Sequence, residues 1–375
     1  MRPKILHLAS TKLSSGGVER FLLGLSQSLR ADFKFALLSG AEESFSKQIY
    51  DLGCATFPWD VNGAFDGKAA RSLSAAIQIY RPDIVHIHDA RAGLIARAGL
   101  RRIKAKVAYT VHLPPYYYRW GKFSNQRRFV YASVERVLNT FRTDAVIYPS
   151  RRGYEDALRN HYAPAAKAHC IPNGIDLTPF LKTPRKTENP VPVVCTLARL
   201  SEEKNVGLLL EAASILTKRG RALSLAILGD GPQRADLERR AAELGIASIT
   251  RFLGRVDDVA APLFQSDIFA LTSWYEGGRS QAAMEAQAAG LPSVLSDVGD
   301  NRSLADGGCG LLFPEGDAQA CASQLETLLL DLTLRAQMGQ SARERALQEY
   351  SLPAMADAYR EVYRALVESN VSDVG

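Results

Sequence analysis

The sequence contains no apolar run near the ~18 residues that a membrane-spanning helix needs, which excludes a helical integral membrane protein. Cysteine is sparse: Cys54, Cys170, Cys195, Cys309 and Cys321 are odd in number and scattered, with no Cys-x-x-Cys pair. A disulfide scaffold is thereby excluded, and the five read as buried thiols of a reducing cytoplasm. Gly-x-Gly-x-x-Gly is missing, as is the Lys-Ser/Thr ending of a P-loop, so a nicotinamide dehydrogenase is disfavoured. The N-terminus, Met1 to Ser10, is basic, but its apolar core is short and broken by His7. Without a small-residue cleavage site it reads as a first strand and not a signal peptide.

What is present fits a globular protein: 375 residues, 46% apolar and 23% charged. That length suggests about two to three domains. The net charge of +6 conceals a division. Residues 1–187 hold 29 Lys and Arg against 14 Asp and Glu, whereas residues 188–375 hold 17 against 26. A change of sign between halves implies two bodies with different partners. The basic excess gathers at Arg97–Lys106 and Arg119–Arg128, the latter interleaved with Tyr116, Tyr117, Tyr118, Trp120, Phe123 and Phe129. Cations mixed with rings suit an anionic membrane surface; a solvated helix face beside a substrate site is the competing reading. Nucleic acid is not expected, because no recognised binding module accompanies the charge.

Short apolar runs alternate with helical patterns along the chain. Ile5–Ala9, Phe35–Leu38, Ile84–His88, Val107–His112 and Ala145–Tyr148 predict strands in the first half, with helices at Arg20–Leu29 and Lys68–Ile79. Val191–Leu197, Leu223–Leu228, Ile249–Leu253, Ile268–Leu271 and Ser293–Leu295 repeat the theme, with helices at Val206–Thr217 and Arg234–Leu244. Such alternation predicts an α/β fold of two doubly wound, Rossmann-like domains facing across a cleft. Lys182–Pro192, with three prolines and no periodicity, reads as the linker between domains 1–182 and 190–352. A last helix is expected over Pro353–Val367, where Met355, Ala358, Val362 and Leu366 recur at helical spacing.

Ligands of such sheets bind beyond the carboxyl ends of the strands. After the first strand, Ser14-Ser15-Gly16-Gly17-Val18-Glu19-Arg20 opens a helix, where paired glycines allow close backbone approach and free amides suit an anion. His86 and His88 share a strand face, but nothing supplies further metal ligands at recognisable spacing, so packing and hydrogen bonding are expected of them. His112 ends a strand ahead of Pro114-Pro115 and can hydrogen-bond a substrate hydroxyl or act as a cap.

In the second half, Arg199 and Lys204 lie five apart around a turn and can reach one diphosphate, Arg as a planar fork and Lys as a point charge. That role fails if those two side chains aim away from the gap between the domains or are buried against acidic partners. Gly229-Asp230-Gly231-Pro232 repeats the strand-end position. The densest signal is Ser273-Trp274-Tyr275-Glu276-Gly277-Gly278-Arg279-Ser280. There Ser280 is the expected N-cap of a helix that Gly290 and Pro292 terminate. Arg279 beside that N-terminus suits phosphate, and Glu285 among alanines suits the vicinal hydroxyls of ribose.

Taken in order, these segments resemble family 4 of the retaining, nucleotide-sugar-dependent glycosyltransferases of GT-B architecture. The ordered matches are Gly16-Gly17-Val18-Glu19-Arg20, Pro82–His88, Thr110-Val111-His112, Ile171–Asp176, Arg199 with Lys204, Gly229–Pro232, Glu276 to Glu285 and Gly307–Phe313. The resemblance implies donor binding by the second domain, acceptor binding by the first, and a C-terminal helix at about 353–370 that returns to the first. It implies that Arg199 and Lys204 hold the diphosphate, Glu285 the ribose, and the amides of Gly277, Gly278 and Arg279 phosphate and sugar. Glu276 then lies near the sugar ring and His112 near its C6 hydroxyl. Gly16, Gly17 and Gly229 lie by the donor, and Gly254–Val256 line the base pocket. Acceptor contacts fall to Gly17, His112, Tyr116 and Arg119.

Two departures stand out. Eight residues separate Glu276 from Glu285, where the family usually has seven, and Ala198 replaces the usual glycine before the diphosphate arginine.

No Asp-x-Asp motif stands where the donor would sit, so neither metal nor cofactor is expected, and the nucleotide sugar is a co-substrate. The implied activity moves a sugar from a UDP-sugar, or secondarily a GDP-sugar, to a glycan or lipid-linked acceptor in envelope polysaccharide or lipopolysaccharide synthesis. The implied place is the cytoplasm, at the inner face of the membrane. Alternatives are a non-hydrolysing sugar-nucleotide epimerase and an inactive nucleotide-sugar-binding protein.

Overall fold

A computed structural model of the protein describes residues 2–10, 17–63, 66–99, 104–112, 125–181 and 189–372. It contains two compact units, Met1–Gly174 with Leu352–Gly375, and Ile175–Ser351. The boundary therefore precedes the linker expected over Lys182–Pro192, most of which lies outside the described residues. The reason is packing: Ile175 and Phe180 are buried in the core of the second unit, Ile175 N donates to Tyr350 O at 2.9 Å, and Arg343 Nη2 donates to Phe180 O at 2.8 Å.

The first unit runs β1 (Lys4–Ala9), α1 (Gly17–Leu29), β2 (Lys34–Ser39), α2 (Glu43–Asp51), β3 (Ala55–Pro58), α3 (Gly67–Tyr80), β4 (Ile84–Ile87), α4 (Ala90–Gly99), β5 (Lys106–Thr110), α5 (Asn125–Phe141), β6 (Ala145–Tyr148), α6 (Arg151–Arg159) and β7 (Ala168–Cys170). Its seven strands are parallel in the order β3-β2-β1-β4-β5-β6-β7. Alternation along β1 assigns its faces, as the period of two in a strand requires. Ile5 and Ala9 join Phe21 and Leu25 in one layer, while Leu6 and Leu8 join Leu73 and Ile95 in the other.

The second unit runs α7 (Thr178–Leu181), β8 (Val193–Leu197), α8 (Val206–Lys218), β9 (Ser224–Leu228), α9 (Arg234–Glu243), β10 (Thr250–Gly254), α10 (Ala260–Phe264), β11 (Ile268–Leu271), α11 (Gln281–Ala288), β12 (Ser293–Ser296), α12 (Asn301–Ala305), β13 (Gly310–Phe313), α13 (Ala318–Leu330) and α14 (Leu332–Glu349). Its six parallel strands follow the order β10-β9-β8-β11-β12-β13. The final helix, α15 (Leu352–Ser372), belongs to the first unit, where Met355, Tyr359, Val362, Tyr363 and Leu366 close the layer that holds Ile5 and Phe21. Among the described residues no helix is long and apolar enough to cross a membrane.

Candidate functional site

In both sheets the strand order reverses once, between β1 and β4 and between β8 and β11. The loops leaving such neighbours diverge and open a crevice at the carboxyl edge, which is where doubly wound sheets bind ligands.

At the β8/β11 edge, the loop after β8 carries Arg199 and Lys204, and the loop after β11 carries Glu276. Lys204 Nζ donates to Glu276 Oε1 at 2.6 Å, and Ser273 Oγ donates to the same oxygen at 2.7 Å. The Lys204 side chain keeps 24% exposure against 8% for Glu276, so the carboxylate is the buried anchor and the ammonium retains access to solvent. The structure thus corrects the expectation of two cations without acidic partners. Arg199 is exposed and has no ion-pair partner among the described residues.

The backbone of these loops is fixed by hydrogen bonds. Trp274 N donates to Glu203 O at 2.9 Å and Thr272 Oγ1 to Asn205 O at 2.9 Å. Two glycines make the geometry sterically possible. At Gly229 (φ +126°) a Cβ would lie 1.9 Å from Ala198 O, and at Gly299 (φ +52°) one would lie 2.0 Å from Glu276 O. Gly229 therefore seats the turn that bears Arg199, and Gly299, in the loop after β12, seats Glu276 from behind. Gly299 was not singled out by sequence; its only signal was a glycine just after a strand.

The remaining predicted residues of this unit occupy distinct places. Gly277, Gly278 and Arg279 form irregular backbone ahead of α11, which begins at Gln281, so the additional residue between the two glutamates falls outside the helix. Ser280 sits at the N-cap position but makes no side-chain capping bond, contrary to expectation. Arg279 Nε lies 3.9 Å from Asp300 Oδ2 and its Nη2 3.7 Å from Glu349 Oε2, with its guanidinium over the Tyr350 ring at 5.4 Å. Those acidic neighbours already answer its charge, which weighs against its side chain as a phosphate ligand. Glu285 is buried within α11. Gly254 (φ +71°) accepts from Gly229 N at 2.8 Å, and Val256 is half-buried nearby in sequence.

In the first unit, Gly17 is the exposed first residue of α1, while Gly16, Tyr116 and Arg119 lie outside the described residues. The same holds for the whole aromatic and basic stretch from 113 to 124. Arg97, counted with the basic cluster, is buried instead: it bonds both oxygens of Glu135 at 2.9 and 3.0 Å and stacks over Tyr109 at 4.3 Å. Burial without that carboxylate would be too costly, so this arginine joins α4 to α5 and contributes nothing to a surface patch.

At the β1/β4 edge, four histidines share one sheet face. His7 Nδ1 and His88 Nε2 are 2.8 Å apart, and His88 Nδ1 and His112 Nε2 are 3.3 Å apart. His86 bonds Tyr363 OH through Nδ1 at 2.6 Å and Thr110 Oγ1 through Nε2 at 2.8 Å. Burial holds all four neutral: His7 is lowered to about 3, His112 to about 4, and His86 and His88 well below the usual range, aided by their histidine neighbours. Nitrogens of His7, His86 and His88 lie within 4.8 Å of one another, a spacing a metal could use, but they are hydrogen-bonded to one another and to α15 and β5. The sequence marked His86 and His88 and passed over His7, whose register opposite His86 only the sheet reveals.

Sequence reasoning also missed a cavity of about 740 Å³ at the carboxyl ends of β1, β2 and β3. Ser10, Ser39, Ser46, Thr56 and Asp60 give it polar walls, and Phe57 and Trp59 apolar ones. Ser10 is itself tethered to Asp89, through its amide at 2.6 Å and its hydroxyl at 2.5 Å.

Comparison with known proteins identifies the family. The model for Glycosyltransferase Family 4 matches residues 15–179, and that for Glycosyl transferases group 1 matches residues 180–345. The chain belongs to this glycosyltransferase family. It is 31% identical over 172 residues to the lipopolysaccharide core biosynthesis glycosyltransferase LpsE of Rhizobium meliloti, across 46% of this chain and 49% of that one. The chain thus spans about half the length of that relative. It is 27% identical to the phosphatidyl-myo-inositol mannosyltransferase of Mycolicibacterium smegmatis, across 94% of this chain and 90% of the other. Anabaena Alr3699/HepE, solved in complex with UDP and glucose, shares the fold with a TM-score of 0.81 at 19% identity, covering 97% and 100% of the two chains. The two parallel sheets are of the GT-B type.

Proposed function

We propose that the protein is a retaining hexosyltransferase that takes a sugar from a nucleoside diphosphate sugar, UDP-linked by preference. The acceptor is a hydroxyl of a glycan or lipid-linked precursor in envelope polysaccharide or lipopolysaccharide assembly. The observation that carries this reading is the β8/β11 edge, where exposed Arg199 and the Glu276-anchored Lys204 stand on adjoining loops. Breaking the glycosidic bond to a diphosphate releases negative charge on the leaving group, and preorganised cations lower that barrier. Arg199 supplies a planar fork, and the Lys204 ammonium keeps two N–H donors beyond the one spent on Glu276. Since Glu276 offsets the lysine charge, Arg199 provides the net positive potential. The leaving diphosphate oxygen takes the proton of the acceptor hydroxyl as the new glycosidic bond forms, so no protein base is required. Charge on Arg199 and Lys204 does the work a divalent ion does elsewhere, and neither metal nor cofactor is needed.

The acceptor falls to the first unit. Its cavity beside β1, β2 and β3 combines hydroxyl-rich and aromatic walls, the mixture that sugar rings use. Helix α5 supports a membrane-bound acceptor. Phe129, Val130, Val134, Val137 and Phe141 are all exposed along one face, with Phe129 at 74% and Phe141 at 76%. Arg136 and Arg142 stand exposed beside them. Apolar anchors flanked by cations fit an anionic lipid surface at the inner face of the cytoplasmic membrane.

A thermal-shift series against UDP-, GDP- and ADP-sugars, followed by product analysis with the stabilising donor, tests the donor claim. Stabilisation by a uridine nucleotide and transfer with retained anomeric configuration are expected; no response to any nucleotide defeats the reading. Flotation with anionic vesicles tests the surface: Phe129→Ser with Phe141→Ser should weaken binding, and wild-type protein that ignores vesicles removes the membrane claim.

A further inference from the structure

We propose that the His7–His88–His112 chain fixes the tautomer of His112, so that its Nδ1 presents an N–H donor to a substrate oxygen. His7 and His88 act as positioning residues. The identity of that oxygen, a sugar hydroxyl or an oxyanion of the donor, rests on the function proposed above.

The inference follows from counting protons along the chain. Each neutral imidazole carries one N–H. The His7 Nδ1···Nε2 His88 contact at 2.8 Å and the His88 Nδ1···Nε2 His112 contact at 3.3 Å each need one proton between the two nitrogens. Only two arrangements satisfy both. In the first, all three rings are protonated at Nδ1; in the second, all three at Nε2. Mixed arrangements leave either two protons or two lone pairs facing each other.

His7 Nε2 decides between the two. It is buried and has no hydrogen-bond partner among the described residues. A buried N–H without an acceptor is rarer than an acceptor that lacks a donor. The proton therefore sits on His7 Nδ1, which forces Nδ1–H on His88 and then on His112.

The scaffold around the chain holds it rigid. His7 stacks on Phe35 with centroids 5.3 Å apart, and Phe21 meets the His112 ring edge-on at 5.1 Å. His86 lies against His88 at 4.1 Å and is pinned by Tyr363, while Thr110 bonds both His86 and Tyr359. His112 is half-buried at the carboxyl end of β5, where the sheet opens to ligand. It consequently serves as a hydrogen-bond donor and not as a general base.

Two-bond ¹⁵N–¹H correlation spectra of full-length protein labelled at histidine read each tautomer directly, with His112→Asn identifying the relevant signals. The expected result at neutral pH is protonation of His112 at Nδ1; protonation at Nε2 overturns the proposal. His7→Leu removes the donor to His88, and should convert His112 to the Nε2 or a mixed form and lower kcat about tenfold. His7→Asn keeps an N–H at the Nδ1 position and should restore both tautomer and rate. An unchanged His112 tautomer in His7→Leu overturns the proposal, since a merely structural role would leave it unmoved. Should His7→Leu fail to fold, the wild-type spectrum alone decides. An Nδ1–H signal with no detectable sugar transfer would support the tautomer and defeat the proposed function, keeping the two separable.

Discussion

Lys204 owes its position to Glu276, and the dependence is mutual. Lys204→Ala removes a donor to the leaving diphosphate and also strands a buried carboxylate, so kcat should fall by roughly 10²–10³-fold. Combining Lys204→Ala with Glu276→Gln separates these contributions. If the double variant regains the wild-type rate, the lysine has no part in stabilising the leaving group. Gly299 offers a sharper steric test. Its left-handed φ of +52° and the 2.0 Å gap from a would-be Cβ to Glu276 O leave no room for a methyl group. Gly299→Ala should cost about 2 kcal/mol or more in stability by urea unfolding, and should lower kcat by displacing Glu276. A variant with unchanged midpoint and rate would show that the two loops move independently.

At the scale of elements, the histidine face of the first sheet links stability to pH. His7 and His112 are lowered to about 3 and about 4, and His86 and His88 well below the usual range, by burial before all else. An unfolded histidine takes up a proton near pH 6.5, whereas these folded ones resist. Stability is therefore complete above about pH 6.5 and is lost as pH falls toward 4, by up to about 1.4 kcal/mol per pH unit for each group. Melting temperature measured from pH 7.5 to 4.5 should decline accordingly, and His7→Asn should flatten the decline.

Elements also show what the sequence disclosed. Strands that are near-continuous apolar runs, such as Ile5–Ala9 and Ile268–Leu271, were legible because burial on both faces enforces their composition. Edge strands β3 and β7 escaped notice, since β3 is largely exposed and β7 has only three residues. Helix α5 was obscured for a similar reason: its apolar face points to solvent while Arg97 and Glu135 pair beneath it, the reverse of the usual amphipathic pattern. Arg199, Lys204 and Glu276 could be read from motif order, but the bond between the last two could not. They are 72 positions apart, and only the adjacency of β8 and β11 joins them.

For the whole molecule, the contrast between a basic first half and an acidic second half, 29 cations to 14 anions against 17 to 26, predicts salt-sensitive adsorption to anionic vesicles. Raising ionic strength from about 0.05 to 0.5 M shortens the screening length severalfold and should release most of the bound protein. Binding that survives high salt would assign the attachment to the exposed apolar residues of α5 alone.

Helix α15 carries a consequence for biosynthesis. Its residues Tyr359, Val362 and Tyr363 seal the layer that contains Ile5 and Phe21, yet the ribosome must first translate residues 175–351. At 5–20 residues per second that delay is roughly 10–35 s. Throughout it, the nascent first sheet waits with an uncovered greasy flank and His86 lacking Tyr363, a window in which a chaperone or the completed second unit's own rapid collapse decides whether the polypeptide escapes aggregation.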